Sequence, residues 1–174
     1  MEASTQEEIL RYLLDEVGGD WFLTGGGLVR MSFDATRGTE DLDLVGLSHP
    51  ELSDESAKQM LYRWLIDRGF GPEWINSAVE PFVREVEGWQ NETVLVRTGE
   101  KGRLFRPTIT LFAFLKLRRG TEIDVGDIQK AALKCTEPFD EELLLGWGNP
   151  KVVERYQKLA PRLGLKSERT TSNS

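Results

Sequence analysis

The sequence predicts an α/β (α+β) protein: a small mixed β-sheet with helices packed on it and a helical C-terminal part. Three observations lead there. Apolar residues recur at helical spacing near the N-terminus, around residues 55–68 and through the last third of the chain. Short apolar or β-branched runs, bounded by glycines and polar turns, separate those stretches. One such run, Trp21–Thr24, leads directly into Gly25, Gly26 and Gly27.

The elements follow in order. Ser4 or Thr5 with Glu7 or Glu8 forms a capping-box start. Ile9, Leu10, Leu13, Leu14 and Val17 then mark a helix face, and Gly18-Gly19 ends it. A strand over 21–24 enters the glycine turn. A short helix over 28–33 carries Arg30, and a polar loop over 34–40 leads to a strand over 42–45. Ser53-Asp54 caps a helix over 55–68, with Met60, Leu61, Trp64 and Leu65 inward and Gly69 as its stop. Alternation over 82–87 predicts a strand with Val83, Glu85 and Glu87 on one face. The β-branched run 93–97 predicts another, and 103–106 a short third after the turn at 99–102. Pro107 or Thr108 opens a helix to Arg119. Asp124 caps a helix over 125–134, 140–145 is a short helix, and Asn149-Pro150 opens a last one from Val152 to Leu163. The reading is thus a core over 1–106, a helical part of the same domain over 107–165, and a disordered tail over 166–174 with nothing to bury.

Composition narrows the function. The chain has 174 residues, 39% hydrophobic and 29% charged, with net charge −7. Those values fit a soluble globular protein and argue against a whole-surface nucleic-acid or membrane binder. The charge is uneven. Arg97, Lys101, Arg103, Arg106, Lys116, Arg118 and Arg119 face one acid, Glu100, so this stretch carries +6 and the remainder −13. That leaves room for a local anion site inside an acidic protein. One cysteine, Cys135, excludes a disulfide framework and a cysteine-based zinc site. One histidine, His49, removes His-cluster metal chemistry and argues against a Ser-His-Asp triad. No run is long and apolar enough for a membrane span, and the N-terminus lacks a signal-peptide core, so a cytoplasmic location is expected.

The chemistry concentrates between Phe22 and Val45. Residues i and i+2 of a strand share a face, so Asp41 and Asp43 project together while Leu42 and Leu44 face the core. Two adjacent carboxylates repel and call for a cation between them. Mg²⁺ takes oxygen ligands, typically one or two carboxylates plus substrate phosphates. Glycines at a strand–helix junction let backbone approach a ligand, and the helix N-terminus offers N–H groups to an anion. Arg37, four residues before Asp41, is placed either to meet phosphate or to pair with the carboxylates. Thr39 orders the loop, and Arg30 lies on a helix face.

Gly25-Gly26, fourteen residues, then Asp41-Leu42-Asp43-Leu44, with Arg37 and Thr39 ahead of the pair, resembles the signature of the nucleotidyltransferase superfamily. The form is similar to its small bacterial branches, including toxins of the AbiEii and MenT type. A second stretch, Thr110–Lys116 followed by Asp124–Asp127, resembles that family's C-terminal Lys-Leu … Asp-hydrophobic-x-Asp-Ile pattern. Thr121-Glu122 here stands where that pattern often has a basic residue. The resemblance spans roughly 21–133.

It implies a nucleotidyltransferase-like fold with Asp41 and Asp43 holding Mg²⁺ or Mn²⁺. Gly25, Gly26, Arg37 and Thr39 would bind nucleotide, and Lys116 would contact its phosphate. Asp127 would lie at the site, with Asp124 as the alternative. A third carboxylate from a neighbouring strand would complete it; Glu85 and Glu87 are the candidates, with Glu80 close by. The implied activity is metal-dependent transfer of a nucleoside monophosphate from an NTP to an acceptor hydroxyl on a protein, a tRNA or a small molecule. The alternatives are an antibiotic-type enzyme acting on an aminoglycoside, or an inactive nucleotide-binding or toxin–antitoxin partner protein. An antitoxin or other partner protein is a possible companion, and no membrane is implied.

Overall fold

The computed structural model describes residues 1–167. Five strands, β1 (Gly19–Thr24), β2 (Leu42–Ser48), β3 (Ile75–Asn76), β4 (Thr93–Thr98) and β5 (Gly102–Pro107), form one mixed sheet in the order β3-β2-β1-β5-β4. β1 is the central strand. It runs antiparallel to β2 and parallel to β5, and every residue in it except Asp20 is buried. A strand covered on both faces needs a near-continuous apolar run rather than alternation, which Trp21, Phe22 and Leu23 provide.

The helices are α1 (Ala3–Tyr12), α2 (Gly25–Ser32), α3 (Asp54–Asp67), α4 (Glu80–Arg84), α5 (Ile109–Leu117), α6 (Glu122–Lys134), α7 (Glu141–Gly146) and α8 (Pro150–Leu163). One buried cluster joins them to the sheet, from Ile9 and Leu13 through Phe22 and Leu44 to Phe112, Ile128 and Leu163. No helix of the described residues is long and apolar enough to cross a membrane.

α5 sits deepest. Ile109 to Phe114 and Leu117 are all buried, so the helix is apolar around its whole circumference. Lys116 is the one charge it carries, at its last turn. A buried ammonium is tolerated only when paired, and the pairing fixes how α5 and α6 meet.

Several expectations need correction. α1 starts at Ala3 behind Glu2, which makes no side-chain cap, and it continues as a π-helical turn over Leu13–Val17. α2 begins at the glycines themselves rather than at Leu28. Met60 faces solvent at 38% exposure, while Leu61 and Leu65 are buried. The strand expected over 82–87 does not form. That segment is α4 followed by turns, with Val83, Val86 and Trp89 buried. Apolar residues every third position suit a helical turn, and Pro81 pre-sets φ in its first turn. Alternation read over six residues masked that spacing. The tail expected from 166 lies outside the described residues except for Lys166 and Ser167, and the Lys166 carbonyl accepts a hydrogen bond from the Phe139 N–H at 3.1 Å.

Asp124 is not the cap of α6. Thr121 is: its hydroxyl accepts from Asp124 N–H, and the Asp124 carboxylate accepts from Thr121 N–H at 3.0 Å. This reciprocal box satisfies two donors of the first turn. Thr121→Ala is expected to lower stability by ~1 kcal/mol, read as a fall in melting temperature of about 2–4 °C.

Candidate functional site

The three glycines and the stretch from Thr39 to Asp43 are built against each other. Gly25 turns the chain at φ +68°, and a Cβ there would overlap the Asp43 carboxylate. Any side chain at 25 would thus meet both backbone strain and an occupied position. A Cβ on Gly26 would come within 2.9 Å of Thr39 Oγ1, and one on Gly27 within 2.6 Å of Leu42 Cδ2. The glycine run is therefore the bed on which Thr39, Leu42 and Asp43 lie.

The sheet register completes the arrangement. Asp43 stands opposite Thr24 across the β1/β2 ladder and beside Asn76 on β3. Leu42 and Leu44 are buried and Asp43 between them is half-buried, as strand parity requires; Asp41, also half-buried, lies just before β2. Asn76 Nδ2 donates to Asp41 Oδ2 at 3.0 Å and orients that carboxylate. Thr39 Oγ1 donates to the Asp41 carbonyl at 2.9 Å. The Thr39 carbonyl in turn accepts from the Met1 amine at 3.1 Å and from Arg30 at 3.2 Å. Arg30 is thus a clamp on the 34–40 loop rather than a solvated helix charge.

Asp43 opens into a cavity of about 570 Å³. Thr24, Gly25, Lys116, Arg119 and Asp124 form its polar wall with Asp43. Val79, Phe82 and Leu115 form an apolar wall, and Arg118 and Arg155 also line it. Lys116 Nζ lies 2.6 Å from Asp127 Oδ2 and 3.6 Å from Asp124 Oδ1. Arg37 Nε meets Asp127 Oδ1 at 2.9 Å from the other side. Arg119 forms a two-pronged pair with Asp124 at 2.8 and 2.7 Å. Arg37 therefore turns to Asp127 and not to the strand carboxylates.

Burial, then the negative charge of Asp41, push the Asp43 carboxyl up to about 6; Lys116 and Arg119 only partly offset this. Burial also opposes ionisation of Asp124 and Glu137. Hydrogen bonds from Arg119 and Thr121 outweigh it for the first, and a bond from Arg106 for the second, so both carboxyls fall to about 2. The stability consequences are opposite in sign. Between 3.8 and about 6 the folded state holds a proton on Asp43 that the unfolded chain has lost. Its contribution to stability therefore falls as pH rises through that window. Asp124 and Glu137 contribute fully above their unfolded values, and that contribution is lost as pH drops through about 2. Melting curves of the metal-free protein and of Asp43→Asn, taken from pH 3 to 8, should differ by a drop between pH 4 and 6 present only in the parent.

The cavity brings together Gly25, Asp43 and Lys116, with Asp127 behind Lys116 and Gly26 under Thr39; Asp41 does not line it and is held by Asn76. Glu85 and Glu87 stay apart from it. Both are exposed, and Glu85 reaches Arg118 at 3.4 Å. Glu80 is held by Lys58 at 2.9 Å and by Arg84 at 2.8 Å. Among the described residues, no group of three or more His, Cys, Asp or Glu side chains is close enough to share a metal ion. Asn76, Arg119, Arg155 and Phe82 went unrecognised in the sequence. Arg118-Arg119 directly follow the lysine motif and were a usable signal; Asn76 and Arg155 had none.

The anion patch is also revised. All seven basic residues of the 97–119 stretch pair with acids from elsewhere. Arg97 meets Glu7, Lys101 meets Glu16, Arg103 meets Asp20, and Arg106 meets Glu137. Lys116, Arg118 and Arg119 meet Asp127, Glu85 and Asp124. The +6 of the sequence is spent on internal cross-links.

Compared with protein-family models, with curated proteins and with solved structures, the chain matches none.

Proposed function

We propose that the protein is a metal-dependent nucleotidyltransferase, moving a nucleoside monophosphate from an NTP to an acceptor hydroxyl. One observation carries this reading. The Asp43 carboxylate lies on the Gly25 backbone, next to Asp41, and faces Lys116 and Arg119 across one cavity. A carboxylate for a cation and donors for phosphate thus share a chamber, with Asp41 close enough to act on Asp43 from beside it.

The donor set suits Mg²⁺ or Mn²⁺, since both available ligands are hard oxygen anions. Asp41 and Asp43 would hold the ion, which when bound supplies charge neutralisation for the attacking and leaving oxygens. Lys116 and Arg119 would bear on the phosphates, and the N–H groups at the start of α2 would donate to phosphate oxygens. Asp127 and Asp124 hold those two cations in place, so their role is positioning. Catalysis of this kind rests on positioning and charge stabilisation. With its basic stretch internally paired, the acidic surface favours a protein or a small cationic acceptor, such as an aminoglycoside, over tRNA.

A second reading has its own support. No third carboxylate joins Asp41 and Asp43 among the described residues, which suits a protein that binds nucleotide without turning it over, for instance as a toxin–antitoxin partner. Titration with ATP, GTP, CTP and UTP, with and without Mg²⁺, combined with a pyrophosphate-release assay, separates the two. Mg²⁺-dependent binding with release supports transfer. Binding without release, with any acceptor class supplied, supports the second reading. No binding removes both.

A further inference from the structure

The cavity that holds Asp43 has two chemically unlike walls, and only the polar one is used above. Opposite it stands an apolar shelf formed by Val79, Phe82 and Leu115. Phe82 is 43% exposed, a large aromatic left partly open in a chain that buries Phe22 and Phe112 almost completely. It is firmly presented. Its neighbour Val83 is fully buried and anchors α4 to the core. Glu80, one turn back, is tied to Lys58 on α3 and to Arg84. The Arg118 guanidinium lies 4.4 Å from the Phe82 ring centre and is steadied by Glu85 at 3.4 Å.

Two flat groups, one aromatic and one guanidinium, thus come from separate elements and are fixed before any ligand arrives. A fixed platform of this type recognises planar π-systems, because stacking on an aromatic or guanidinium plane needs little reorganisation. A ligand filling the cavity must carry negative charge at one end and a flat, largely apolar face at the other. A volume of about 570 Å³ is in the range of a small-ligand pocket.

We infer that Phe82 and Arg118 form the nucleobase platform of the site, stacking the base of a nucleotide whose phosphates lie toward Lys116 and Asp43. The inference rests on the nucleotide reading of the polar wall and adds to it the residues that hold the base. Stacking tolerates any base, and purines offer the larger face, so ATP and GTP should bind more tightly than CTP and UTP.

The test compares Mg·ATP with Mg·tripolyphosphate, which has the same charged end and no base, by equilibrium calorimetry. The parent should bind ATP at least tenfold more tightly than tripolyphosphate, as loss of one stacked base implies. Phe82→Ala should lose most of that gap while binding tripolyphosphate as the parent does, which also reports an intact fold. Phe82→Tyr should restore the gap. Equal binding of the two probes by the parent, or an unchanged gap in Phe82→Ala, overturns the platform and leaves the polar site standing. Binding of neither probe by the parent overturns the platform together with the nucleotide reading.

Discussion

Asp43→Asn is expected to abolish Mg²⁺-dependent turnover, by about 10³-fold or more, and yet to melt a few degrees above the parent in the absence of metal. The two effects have one origin. A carboxyl raised from 3.8 to about 6 is held ionised at neutral pH against burial and against Asp41. At full strength that rise corresponds to ~3 kcal/mol. The carboxylate is half-buried, so solvent screening reduces the relief on neutralisation to about 1–2 kcal/mol. An amide cannot replace a first-coordination carboxylate for Mg²⁺ at similar affinity, and loss of charge stabilisation of this kind costs several kcal/mol in the transition state. Paired measurements decide it: thermal melting without metal, and pyrophosphate release with it. An Asp43→Asn protein that melts well below the parent, yet turns over Mg·NTP normally, would sink the assignment of Asp43 to a metal.

Asp127→Ala should do the reverse and destabilise the fold strongly. Asp127 is 4% exposed at its side chain and neutralises Lys116, itself 9% exposed. Removing one partner of a buried ion pair leaves an uncompensated charge, at a cost of ~3–5 kcal/mol. Asp124 lies 3.6 Å from the same ammonium and takes up part of the charge, so the lower end, about 3 kcal/mol, is the expectation. Arg37 is 28% exposed and can turn to water. For a chain of this length the fall in melting temperature is about 6–12 °C. The double variant Asp127→Ala with Lys116→Met should recover most of it, because an apolar side chain of similar length removes the unpaired charge. Melting curves of the three proteins check the cycle. A double variant no better than the single would show that Asp127 acts through something other than Lys116.

The parts of this architecture that were legible in the sequence are those governed by local rules. Strand parity is a property of the backbone, so the burial of Leu42 and Leu44 around the half-buried Asp43 follows from position alone. Capping at Ser53, Thr108 and Asn149 was equally readable, since each side chain bonds an N–H within a few residues. The 82–87 segment misled because six residues fit a period of two as readily as a period of three, and Trp89, which settles it, lies just outside. Long-range pairings were invisible. Nothing local tells that Arg37 will find Asp127 ninety residues on, or that Arg97, Lys101 and Arg103 will pair with acids more than eighty residues earlier. Net charge along a stretch of sequence measures composition, whereas a binding surface depends on which charges remain free.

The parallel pairing of β1 with β5 sets an order on folding. Thr24 faces Asp43 across α2 and the loop that follows it, so the β1–α2–β2 unit, with Gly25 and both motif acids, can assemble from contacts close in sequence. Gly19, in contrast, lies in register with Gly102, and the Leu14 carbonyl accepts from the Lys101 N–H at 3.0 Å. During synthesis the open edge of the central strand, bearing Trp21 and Phe22, therefore waits for most of the chain to be made. Closing so long a loop is slow, and an unpaired apolar strand is prone to self-association meanwhile. Chains truncated before residue 102 should be caught by general chaperones, with their acidic half-site formed and its lysine still to arrive.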